Sequence, residues 1–308
     1  MTRTAAVFVT IASTLALVAA DVPLRQVASA AALVEVTDFG DNPGNLRMHL
    51  YVPDSVRPEP AVVVAMHGCT GSGPGYYQSS EFASLADRYG FVVVYPSASE
   101  HDNCFDVWSD AARSRDGGSD PDSIVSMVDY VRARHHADPR RVFATGGSSG
   151  GMETTALLVL HPDVFAAGAA FMGIPFACFP NEADFDPSRP CFTGTVDKSP
   201  REWGDLARAT NPDHAGPWPR VQLWHGTDDT LIAYSLLREQ VDQWTDLHGL
   251  SPSPTATDSP APGWTREHFG YDCGAGKVEA ITVAGGVHNL PTGGMAAHAV
   301  EFFGLTTG

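Results

Sequence analysis

Short β-branched apolar runs alternate along this chain with segments whose apolar positions recur every three or four residues. "AVVVAMHG" (Ala61–Gly68), "FVVVYP" (Phe91–Pro96), "RVFATG", "FAAGAAFMG", "RVQLWHG" (Arg220–Gly226) and "KVEAITVAGG" read as strands. Because they are apolar at nearly every position rather than at alternate ones, they are expected to be buried on both faces. Between them, "EFASLADRYG" reads as a helix closed by Gly90, and "DPDSIVSMVDYVRARHH" as a helix with Asp120 as N-cap and Pro121 at its first position. "GGMETTALLVLHP" reads as a helix stopped near Pro162, "AYSLLREQVDQWTDLHG" as one ending at Gly249, and "MAAHAVEFFGL" as the last. In the helix before Gly249, Leu237, Val241, Trp244 and His248 share one face.

Strands buried on both faces and alternating with helices imply an α/β fold with a mainly parallel central sheet and helices on both sides. "LVEVTDFG" and "LRMHLYVP" look like an antiparallel pair at its start. The Pro-rich stretch "NEADFDPSRPCFTGTVDKSPREWGD" lacks periodicity and is expected to lie over the sheet as an insertion, with Ser251–Trp264 as a second surface loop. No internal repeat and no second domain is visible.

The N-terminal "MTRTAAVFVTIASTLALVAA" carries one arginine and then an apolar, Ala-rich run. It reads as a secretory signal, with cleavage at "ASA" (Ala28–Ala30) or after Ala20. This divides the chain into a signal segment, 1–30, and one domain, 31–308, and predicts an extracellular protein. No other stretch approaches the ~20 apolar residues of a membrane span. Removing 1–30 takes away Arg3, Arg25 and Asp21, so the net charge moves from −17 to −18. Such acidity repels polyanions and argues against a nucleic-acid partner. Of the five cysteines, Cys69 is expected to pair with Cys104 and Cys178 with Cys191, leaving Cys273 free; none has the C-x-x-C spacing of a zinc site.

The candidate chemistry sits in "RVFATGGSSGGM". It lacks the lysine of a phosphate-binding loop and the G-x-G-x-x-G of a dinucleotide site, but G-x-S-x-G fits twice, centred on Ser148 or Ser149. A nucleophilic serine on a strand-to-helix turn needs small neighbours where strand and helix converge. Centred on Ser148, the next two close positions are Gly150 and Gly151; centred on Ser149, one would be Met152. Ser148 is therefore the better nucleophile. The base and its orienting acid should follow in the order acid, then histidine, each after a strand. "HGTDDT" offers Asp228 and Asp229, and "AGGVHNLP" offers His288. "MHGCTG" could present backbone N–H groups to a tetrahedral oxyanion, Cys69 first with Thr70 close behind, while Ser149 N–H would be the second donor. His67 and His225, also at strand ends, could simply hold loops, and Trp108, Trp224 and Trp264 could line an aromatic slot or fill the core.

Together "VTDFGDNPGNLRMHLYVP", "ASLADRYGFVVVYPS", "ADPRRVFATGGSSGG", "REWGDLARATNP", "VQLWHGTDDT" and "GVHNLP" resemble secreted esterases of carbohydrate esterase family 1. Among them are the fungal-type acetylxylan esterases, which share ancestry with feruloyl esterases and polyhydroxybutyrate depolymerases. The resemblance runs from about Leu33 to Leu305 and implies an α/β-hydrolase fold. It also implies a triad of Ser148, Asp229 and His288, the acid falling on Asp229 through H-G-x-x-D. The implied activity is that of a serine carboxylic ester hydrolase deacetylating xylan through an acyl-enzyme, without metal or organic cofactor and as a monomer. Gly68, after the turn histidine, is closer to the feruloyl and depolymerase branches. A feruloyl esterase or polyester depolymerase is the alternative within hydrolases, and a non-catalytic polysaccharide-binding protein the alternative outside them. No Ser/Thr-rich linker to a binding module is present, so a polymer is expected to meet the catalytic domain itself.

Overall fold

The computed structural model describes residues 1–2, 31–270 and 277–306. Most of the expected signal segment, and Cys273, lie outside the described residues. The strands are β1 (Val34–Val36), β2 (Arg47–Tyr51), β3 (Val62–Met66), β4 (Val92–Ser97), β5 (Val142–Gly147), β6 (Ala167–Phe171), β7 (Arg220–Gly226), β8 (Ala256–Asp258), β9 (Trp264–Phe269) and β10 (Val278–Val283). They form one sheet in the order β1-β2-β4-β3-β5-β6-β7-β10-β9-β8. From β4 to β10 every pairing is parallel, and both borders are antiparallel: β1 and β2 on one side, β9 and β8 on the other.

The helices are α1 (Gly73–Ser79), α2 (Phe82–Tyr89), α3 (Asp120–His135), α4 (Ser149–Leu160), α5 (Pro190–Thr193), α6 (Pro200–Thr210), α7 (Leu236–Leu247) and α8 (Met295–Phe302). Successive strand residues point to opposite faces, and here both faces are apolar. Val62, Val64 and Met66 join one core with Ile124 and Met127 of α3, Leu157 of α4, and Val241 and Trp244 of α7. Val63 and Ala65 join a second core with Phe82 of α2 and Met295 and Val300 of α8. Each such buried side chain contributes roughly 1.5–3 kcal/mol, and β3, paired in parallel on both sides, is apolar at every position.

Over the C-terminal ends of the strands sits a third apolar cluster, including Trp108, Phe179, Phe192, Trp203 and Ile232. Disulfides join Cys178 to Cys191 within this cap and Cys69 to Cys104 at its border.

Three local readings are corrected. The N-cap of α3 is Ser119, not Asp120. The Asp120 carboxylate accepts the Asp106 N–H at 2.9 Å, drawn away from its own helix. The expected insertion contains the start of α6, nucleated by a capping box in which Ser199 and Glu202 bond each other's backbone N–H groups. The second surface loop contains β8, which pairs with β9. Among the described residues no helix is long and apolar enough to cross a membrane.

Candidate active site

Strand β5 ends in Gly147, and α4 starts at Ser149, so the whole reversal of direction falls on Ser148. Its backbone adopts φ 56°, ψ −122°, a left-handed conformation costing a non-glycine residue about 1–3 kcal/mol. Two bonds hold it there: Ser148 N–H to the Phe171 carbonyl, and Met152 N–H to the Ser148 carbonyl, both 2.9 Å. The turn is possible because α4 enters almost in contact with two strands. A Cβ on Gly150 would lie 2.4 Å from the Met66 carbonyl oxygen, and one on Gly151 2.5 Å from that of Phe171. The adjacent hydroxyl, Ser149 Oγ, is buried with no hydrogen-bond partner. It faces the interior, while Ser148 faces a pocket.

His288 follows β10, as Asp229 follows β7, and the parallel pairing of these strands brings the two loops together. His288 Nε2 lies 2.9 Å from Ser148 Oγ, and Nδ1 lies 2.7 Å from Asp229 Oδ2. The other Asp229 oxygen accepts the N–H groups of Leu231 and Ile232, each at 2.9 Å. Burial pushes the Asp229 carboxyl up, but hydrogen bonds from His225, His288 and the Ile232 N–H more than offset it and hold the acid well below the usual range. An ionised carboxylate accepts only, so His288 Nδ1 carries a proton and Nε2 is free to accept one from Ser148. Asp228 is exposed, and its carboxylate accepts the Thr227 hydroxyl instead.

His225 is the residue whose part in this chain sequence reasoning missed. Its ring is fully buried, with Nε2 3.0 Å from the Ile232 carbonyl and 3.3 Å from Asp229 Oδ2. It holds a loop, as expected, and also supplies Asp229 with a second imidazole. The signal available was its place in the same H-G-x-x-D turn. His67 holds a loop as well: its Nδ1–H faces the Gly68 carbonyl at 2.7 Å, and Nε2 accepts the Ala98 N–H at 3.2 Å.

The turn that follows His67 carries both candidates for the first donor, Cys69 and Thr70. Thr70 N–H donates to the Asp102 carbonyl at 2.6 Å and is therefore engaged. Cys69 and Ser149 N–H make no hydrogen bond among the described residues. The Cys69–Cys104 bridge and the Thr70 bond fasten this turn to the segment after β4.

The pocket over Ser148 has a volume of about 440 Å³, and Tyr76, Met172, Leu231 and Leu290 form much of its apolar lining. Leu231 is 43% exposed, and Val287, beside His288, 49% exposed. None of the three tryptophans lines it. Trp108 is buried against Phe185, and Trp224 is buried between Phe171 and Trp264.

Residues 46–183 match the family described as esterase PHB depolymerase. The chain is 41% identical to a feruloyl esterase B of Talaromyces funiculosus over 92% of this chain and 80% of that one. With an acetylxylan esterase of Coprinopsis cinerea the identity is 40%, over 89% and 73%. The solved acetyl xylan esterase of Aspergillus awamori superposes with a TM-score of 0.82 at 35% identity, covering 89% of this chain and 99% of that one. A sheet with this order, a serine at the strand-to-helix turn and these relatives lead to one statement: the chain belongs to carbohydrate esterase family 1, the α/β-hydrolase esterases that include acetylxylan and feruloyl esterases.

Proposed function

We propose that this esterase is a secreted serine carboxylesterase that removes acetyl groups from xylan. The observation that carries the reading is the unbroken hydrogen-bonded chain from Ser148 Oγ through both nitrogens of His288 to Asp229. Ser148 Oγ attacks the acetyl carbonyl carbon as His288 Nε2 takes its proton, and Asp229 holds the imidazolium that forms. The N–H groups of Cys69 and Ser149 receive the oxyanion; losing one such donor typically costs ~3–4 kcal/mol of transition-state stabilisation. As the tetrahedral intermediate collapses, the C–O bond to the sugar breaks and His288 returns the proton to the leaving sugar oxygen. Water, deprotonated by His288, then attacks the acetyl-Ser148 ester, releasing acetate and the free hydroxyl. The steps use protein groups and water alone.

The absence of tryptophan from the pocket lining among the described residues favours a small acyl group, since Tyr76 is the one Phe, Trp or Tyr among the described lining residues. Residues 1–30 would be the leader and 31–308 the catalytic domain, acting as a monomer outside the cell, where the two disulfides are stable. A second reading, feruloyl esterase, draws on the likeness to feruloyl esterase B and on the apolar Leu231 at the pocket edge. Turnover of acetylated xylan, methyl ferulate and polyhydroxybutyrate granules by the purified chain separates the readings. Acetate release is expected to be fastest. Faster cleavage of methyl ferulate would transfer the assignment, and xylan binding without ester turnover at any pH would overturn an enzymatic role.

A further inference from the structure

At the end of α4 remote from Ser148, a second set of ligand-bearing side chains converges. His161 caps the helix and is 2% exposed, and its Nε2 has no hydrogen-bond partner. That nitrogen lies 3.4 Å from Oδ1 of Asp122, in the first turn of α3. Asp116, exposed in the segment before α3, brings a carboxylate oxygen near both, so that the three ligand atoms lie within 4.8 Å of one another. The remaining Asp122 oxygen accepts the Gly118 N–H at 2.7 Å, which fixes the carboxylate with Oδ1 toward the imidazole.

The spacing is informative. A hydrogen bond between imidazole and carboxylate closes to about 2.7–2.9 Å. At 3.4 Å the pair is longer than that bond, a spacing that one shared ion can span. The charge fits as well. Arg115 grips Asp163 through two bonds of 2.6 and 3.0 Å and approaches Asp116 no closer than 3.9 Å. Its two hydrogen bonds to side chains thus go to Asp163, and its charge reaches the carboxylates of Asp116 and Asp122 only through space, leaving their oxygens to a divalent ion. Calcium and magnesium prefer oxygen ligands throughout, whereas one imidazole with two carboxylates suits zinc.

We propose that Asp116, Asp122 and His161 form a binding site for a divalent transition-metal ion of the zinc type, with solvent completing the coordination on the exposed Asp116 side. Such an ion ties the start of α3 to the end of α4. It stands about 18 Å, the length of a 12-residue helix, from the serine turn. Its role is to brace the helix that presents Ser148, and it takes no part in ester cleavage.

Equilibrium dialysis of the full chain against Zn²⁺, followed by metal quantification and thermal unfolding, tests this. The unmodified chain should take up Zn²⁺ and unfold at a higher temperature with it than with a chelator. Asp116→Asn, at an exposed position, should fold normally by circular dichroism and bind at least about tenfold more weakly. His161→Gln should lose binding altogether. No uptake at ~100 times the micromolar range, unchanged binding in both variants, or equal binding of Ca²⁺ would each overturn the proposal.

Discussion

Helix α4 presents a bonded set of polar groups to the pocket, whereas several polar atoms that it buries, Ser149 Oγ among them, have no partner. At its start, Ser148, His288 and Asp229 each have a partner, and the chain of bonds opens on a solvent-reached pocket. One turn further in, the helix carries Glu153, fully buried with neither carboxylate oxygen bonded, and at its close His161 Nε2 is likewise unbonded. At the start, the cost of burying Asp229 is offset by four contacts from backbone and imidazole donors. In the middle no donor does this for Glu153. Burial, with Asp120, Asp106 and Asp122 adding repulsion, raises its carboxyl well above the ordinary range. The contrast teaches that desolvation alone does not decide a carboxyl's behaviour: donors hold the Asp229 carboxyl below its ordinary range, and without them burial raises that of Glu153.

Substitutions along this helix, with Gly293 before α8 as a control, can break or sharpen the contrast. Ser148→Ala should lower kcat on an activated acetyl ester by about 10⁵-fold or more while leaving denaturant unfolding nearly unchanged. If Ser149→Ala gave that loss instead, the turn would be mis-registered by one residue. Gly150→Ala comes next. Its methyl would stand 2.4 Å from the Met66 carbonyl oxygen and 2.6 Å from that of His67, both backbone atoms. A loss of about 3 kcal/mol in urea unfolding is expected. Gly293→Ala, with no atom within 4 Å of the added carbon, should be nearly neutral. The remaining test is a pH slope. With its folded pKa above the unfolded value of 4.5, Glu153 contributes stability that is fully present below that pH and lost as pH rises through the folded pKa. Glu153→Gln should remove a decline in unfolding free energy that sets in as pH rises above 4.5, of at most about 1.4 kcal/mol per pH unit, measured at pH 5, 6 and 7. Parallel pH curves for the two proteins would show that Glu153 is charged in the folded state.

Ser148, Asp229 and His288 were legible because each stands directly after an apolar strand, and a parallel sheet collects those positions at one end. The apolar runs that made the strands legible also marked α2, α4 and α8. Helix α1 was not legible: "GPGYYQS" holds two glycines and a proline. It forms because Ser72 caps it and because Tyr76 and Tyr77 pack on the core. Helix α6 hid behind the prolines before it, although Ser199 and Glu202 were a usable starting signal. Strand β8 is exposed throughout and survives on pairing with β9 and on the Asp258–Arg266 ion pair, neither of which leaves an apolar trace. The pocket lining was equally hidden, since Tyr76, Met172, Leu231 and Leu290 come from four separate segments. Asp116, Asp122 and His161 share no motif spacing either, because the fold alone unites them.

The borders of the sheet have a bearing on life at high concentration. Each ends in a strand of only three residues, and each is crossed by an arginine–carboxylate pair, Arg47 with Glu35 and Arg266 with Asp258. A passing copy of the molecule finds too few free amide and carbonyl groups there to add a strand, and it meets charge before it meets backbone. Edges this short and charged disfavour strand-to-strand templating between copies.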